Sequence, residues 1–125
     1  MNSKFTQIIR IALGLILIVF GANKIYSFIP LPHPPQQASD FMNSLADTGY
    51  VLTVVAIFEI LIGLMLILRL WVPFALLVLV PLSLNILLFH LFLDVPSIGT
   101  ALLVVLLNGI LLYKHRRKYR PLFNE

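Results

Sequence analysis

Four stretches of roughly twenty mostly apolar residues follow one another along the chain, each long enough as a helix to cross a hydrocarbon layer of about 30 Å. They cover 6–28, 50–68, 72–93 and 97–113, and charge, proline or aromatic residues bound them. Leu and Ile dominate and no strand-like alternation interrupts them. Lipid leaves no partner for a free backbone group, so only helices and closed barrels span it, and this pattern selects helices. The expected fold is all-α: one domain of 125 residues, a polytopic four-helix membrane bundle. Composition agrees, because with 60% hydrophobic residues, nine basic and five acidic side chains are too few to cover a soluble globule.

The charges orient the bundle. Five of the nine basic residues, Lys114, Arg116, Arg117, Lys118 and Arg120, lie in the tail 114–125. Lys4, Arg10 and Arg69 fall at the same end of the spans, whereas Lys24 alone approaches the other end, whose connections carry Asp40, Asp47 and Asp94. The positive-inside rule then places both termini in the cytoplasm. The same clustering excludes a nucleic-acid surface, since the cations form one tail beside a span rather than a face with interleaved aromatics. A cleaved signal peptide with Ile11 to Phe20 as its apolar region is the rival for the first span, but Gly21 to Lys24 match a cleavage site poorly and three more spans follow. Zero cysteines exclude disulfides, thiolate metal centres and thiol nucleophiles within the chain.

Between the first two spans, Pro30, Pro32, Pro34 and Pro35 force an extended exit. Ala38, Phe41, Met42, Leu45 and Ala46 then recur on one helical face, which predicts a short interfacial helix over 38–47, either a plain lid or a gate. Trp71 and Pro73 suit the start of the third span, and Pro81 inside it frees the carbonyl of Leu77 and predicts a kink.

Ionisable groups inside a bilayer cost several kcal/mol on most scales and need partners, so each is a site candidate. Glu59 falls near the middle of the second span, with small Ala56 and Gly63 on its face. Arg10, Gly14, Leu17, Gly21 and Lys24 form one stripe on the first span. Lys24 lies about 10 Å from midplane by helix rise and reaches Glu59 if both side chains extend. The alternatives are an ion pair or water-bridged pair, a snorkelling Lys24 beside a protonated Glu59, or water around both.

The third span adds Asn85, one turn from Pro81 and able to satisfy the freed carbonyl, and His90, about 140° around the helix from Asn85. Asn23 is a further inward candidate, and Asn108 suits interhelical hydrogen bonding. His33 and His90 share the outer side, yet no carboxylate or thiolate set at ligand spacing accompanies them, so no metal is expected. These positions predict a pocket in the outer half, with Phe28, Phe41, Phe58, Phe89 and Phe92 at similar depth to line it. A flat apolar molecule with carbonyl or hydroxyl groups, such as a quinone or quinol, suits such a cavity.

The polar positions and their surroundings resemble the DoxX-like family of small bacterial membrane proteins. The resemblance rests on LGLILIVFGANK (13–24) running into FIPLP, on TGYVLTVVAIFEILIGLMLIL (48–68) and on VPFALLVLVPLSLNILLFHLFLD (72–94). It implies a four-helix protein of the bacterial inner membrane, associated in some relatives with quinone-linked oxidoreductases or with resistance to oxidants. Lys24, Glu59, Asn85 and His90 become the carried-over candidates for ligand binding or proton handling, with Asn23 beside them. The expected partners are the bilayer, a redox-enzyme subunit or a second copy in a homo-oligomer. No cofactor motif is visible, and quinone or quinol enters as a ligand only. The competing functions are a non-enzymatic scaffold or assembly factor whose polar groups only fix packing, and a small transporter, which would require a dimer.

Overall fold

The computed structural model describes residues 3–26 and 34–123, and no strand occurs among them. Helix α1 (Lys4–Tyr26) begins where the Ser3 hydroxyl accepts the Thr6 N–H at 3.2 Å, filling one of the unpaired donors of the first turn. Helix α2 (Gln36–Asp47) follows Pro35, starting two residues earlier than the periodicity predicts. Helix α3 (Val51–Leu68) starts from Thr48, whose Oγ1 accepts the Val51 N–H at 3.2 Å. Helix α4 (Val72–Leu93) carries Pro73 in its first turn, where the missing N–H costs little. A single 3-10 turn, Val95–Ser97, leads into α5 (Ile98–Lys114), and a short α6 (Arg116–Tyr119) followed by a 3-10 turn, Arg120–Phe123, ends the described tail.

Among the described residues, four helices are long and apolar enough to cross a membrane, as the four stretches predict. The first span's last predicted residues, with Phe28, Pro30, Pro32 and His33, lie outside the described residues.

The spans close into a ring. α1 packs on α3 and α5, and α4 packs on the same two helices, while α2 rests against α3 and α4. Leu13, Leu17, Leu66, Leu76, Leu79 and Leu111 form the solvent-free centre. Large apolar side chains such as Ile8, Leu15, Leu61, Leu84 and Leu106 point outward, as lipid-facing positions should. Lipid tails are as apolar as the side chains they meet, so the helices are held by close packing and interhelical hydrogen bonds. Close packing is most evident between α1 and α3, where a Cβ on Gly63 would lie 2.6 Å from the Gly14 carbonyl oxygen. Hydrogen bonding serves α4 and α5: Asn108 Nδ2 donates to the Leu76 carbonyl at 3.2 Å, and Ser83 Oγ donates to Asn108 Oδ1 at 3.3 Å.

Candidate functional site

Antiparallel register brings two charges of the loop half, the part-exposed Lys24 and the buried Glu59, together. Gly14 meets Gly63, Gly21 meets Ala56, and Arg10 meets Ile67, pairs whose residue numbers all add to the same total. Continuing that register, Lys24 stands level with Thr53, six residues from Glu59 and so about 9 Å away along the axis. The gap closes because Cα–Cβ bonds tilt toward each helix's own N-terminus. In antiparallel helices that makes Lys24 lean toward the bundle centre and Glu59 lean toward the loop end. Lys24 Nζ and Glu59 Oε1 meet at 2.7 Å. Gly21 permits the arrangement, since a Cβ there would stand 3.2 Å from the Cβ of Glu59 and 3.0 Å from the Ala56 carbonyl oxygen.

The two partners differ in exposure. The Glu59 side chain is 2% exposed and that of Lys24 is 26% exposed. Beyond the ammonium, no hydrogen-bond donor reaches Oε1 of Glu59 among the described residues. Asn23, adjacent to Lys24, is buried as expected.

The other candidates are not gathered there. Asn85 is exposed on the lipid side, and its Nδ2 donates to the Pro81 carbonyl at 2.8 Å. It therefore neither faces the ion pair nor satisfies the Leu77 carbonyl that the sequence pointed to. Ser83 marks the inward face of α4, and Asn85 stands about 200° from it around the helix. His90 packs edge-on to Phe89, and its Nδ1 lies 3.2 Å from the Asp94 carbonyl oxygen and 3.8 Å from the carboxylate Oδ2. Asp94 is itself buried, with no donor to its Oδ1 among the described residues. The expected aromatic lining does not assemble either. Phe58 and Phe92 point outward, Phe28 lies outside the described residues, and only Phe41 and Phe89 meet, with ring centroids 5.8 Å apart.

A second polar cluster at the tail end went unrecognised in the sequence, where Arg10 reads as an orientation charge. Arg10 is 7% exposed, and its Nη1 donates to the carbonyls of Leu66 and Ile67. α3 stops at Leu68 with Arg69 in the left-handed region (φ 58°), so those carbonyls lack helical partners and a cation from α1 supplies them. The signal was the stripe itself: Arg10 belongs to the same face as Gly14, Gly21 and Lys24, and that face packs on α3. Tyr119 adds a tie from the tail, donating to the Pro73 carbonyl at 2.7 Å.

With this geometry in place, a sequence model of the DoxX family matches residues 5–91. The chain belongs to the DoxX family. The DoxX segment takes in nearly all of α1 to α4, hence Arg10, Lys24, Glu59, Asn85 and His90, and leaves α5 and the basic tail outside. Neither the curated proteins nor the solved structures compared with this DoxX chain include a match.

Proposed function

We propose that this chain is a subunit or accessory protein of a quinone-linked oxidoreductase or oxidant-resistance system in the bacterial inner membrane, and that the Lys24–Glu59 pair holds a quinol-type ligand. The basic end faces the cytoplasm on this reading, by the positive-inside rule. One observation carries the proposal: the buried Oε1 of Glu59 meets no donor other than the Lys24 ammonium among the described residues, while Lys24 keeps a quarter of its side chain open. An ammonium has three donors and gives one of them to Glu59. The remaining donors suit a quinone carbonyl, and the carboxylate suits a quinol hydroxyl. A buried carboxylate next to a cation is also a natural proton holder, because its charge state depends on that partner. Asn85 and His90 are not assigned to this site, since Asn85 Nδ2 bonds the Pro81 carbonyl and His90 Nδ1 lies against the Asp94 carbonyl oxygen.

A photoreactive quinone analogue tests this directly. Crosslinking of the membrane-embedded chain should label peptides containing Lys24 or Glu59 and be competed by unlabelled analogue. Labelling confined to the lipid-facing side of α4 or α5 would remove the proposal.

A second reading, a scaffold in which the pair only locks helix register, draws support from the Gly21–Ala56 contact beside Glu59. It predicts no competable labelling at either charge.

A further inference from the structure

At the tail end, the end of the bundle away from the ion pair, a cleft of about 400 Å³ opens among Gln7, Arg10, Arg69, Trp71, His115 and Lys118. That volume falls within the roughly 300–1,000 Å³ of small-ligand sites. We propose that this cleft binds a phosphate group, carried by an anionic lipid headgroup or free in solution.

Among the described residues that line it, Arg10, Arg69 and Lys118 are basic and none is Asp or Glu. Arg10 is oriented before any ligand arrives, because Nη1 is held by the Leu66 and Ile67 carbonyls. The guanidinium has five N–H donors in a fixed fork, so donors remain for a planar or tetrahedral oxyanion. Lys118 comes from the tail, which Tyr119 fastens to the start of α4 by donating to the Pro73 carbonyl at 2.7 Å, while His115 Nδ1, 2.9 Å from the Leu111 carbonyl oxygen, holds the end of α5 from which the tail leaves. The cleft is thus assembled from α1, the α3–α4 turn and the tail.

Its depth fits a headgroup. The cleft lies where α1 and α4 begin and α3 ends, and its wall includes Trp71, a residue enriched at membrane–water boundaries. Basic pockets between spanning helices at that level have the chemistry that recognises anionic headgroups.

Native mass spectrometry of the purified full chain with phosphatidylglycerol, phosphatidylcholine and inorganic phosphate decides the matter. The expected result is retention of phosphatidylglycerol over phosphatidylcholine, weakened about tenfold by Arg69→Gln with Lys118→Gln, a loss of about 1.4 kcal/mol. Lys118→Gln alone, outside the helix hairpin, should show part of that loss. Arg116→Gln with Arg117→Gln removes the same charge from the exposed face of the tail and should leave retention unchanged. Displacement of the lipid by inorganic phosphate would support the site and make free phosphate its ligand; lipid retained against inorganic phosphate would make it a headgroup site. Equal weakening by both double variants, or no preference for phosphatidylglycerol together with no phosphate binding, would overturn the proposal.

Discussion

Gly14 and Gly63 meet backbone to backbone: a Cβ on either would lie within 3 Å of the other's carbonyl oxygen, at 2.8 Å from Gly14 and 2.6 Å from Gly63. Backbone cannot give way as a flexible side chain can, so α1 and α3 must separate if either glycine gains a side chain. Gly63→Ala should therefore lower stability in detergent by about 1–3 kcal/mol, the usual range for overpacking. Gly109→Ala, where an added Cβ meets nothing within 4 Å, is the control and should leave the melting temperature unchanged.

Lys24 and Glu59 should couple energetically. Lys24→Met leaves a carboxylate buried without its cation, which costs about 3 kcal/mol, at the low end for a broken buried pair because Lys24 is partly open. The double variant Lys24→Met with Glu59→Gln should recover a large part of that loss. A double-mutant cycle read by thermal unfolding in detergent checks it, and additive losses would mean the two side chains do not interact.

Asn108 holds α5 to α4 through Leu76 and Ser83. Replacing it with Leu keeps the branching at Cγ and removes both bonds, so stability should fall by about 0.6–2 kcal/mol, the range of interhelical hydrogen bonds in membranes. Ser83→Ala should cost less, since the Asn108–Leu76 bond survives it. Chemical unfolding in mixed micelles gives both values.

The tail tie should be pH-dependent. Burial pushes the Tyr119 phenol up to about 12 from an ordinary value near 10, because the phenolate is poorly solvated there. Raised in the folded state, the group favours docking of the tail fully below about pH 10, and that contribution is lost as pH rises toward 12. Ultraviolet titration should show a tyrosine step displaced toward pH 12, and Tyr119→Phe should remove that step.

How much of this was legible in the sequence depends on whether a residue's role follows from one helix or from two. The four spans follow from length and apolarity alone. The α1 stripe also emerged, since glycines and charges at three-and-four spacing fix a face without knowledge of the partner, and that face brings Lys24 to Glu59. α4 is different, because it is apolar nearly all round and no polar face sets its phase. Asn85 therefore read as a pocket residue although it points to lipid and bonds within its own helix. Arg10 was missed for another reason. Its partners are backbone carbonyls exposed by the left-handed Arg69, and no side-chain pattern advertises where a helix will stop. His90 and Asp94 stand four residues apart at the end of α4, a spacing that by itself sets the two side chains on one face.

The measurement closest to the central claim is the affinity of a short-chain quinone analogue for the purified protein, taken side by side for the wild type, Glu59→Gln and Gly109→Ala. Saturable binding is expected for the wild type and Gly109→Ala, with affinity reduced about tenfold or more in Glu59→Gln, the loss of at least one charged hydrogen bond. Binding of equal strength in all three, or none in the wild type, would contradict it and leave the Lys24–Glu59 pair as a lock between two helices.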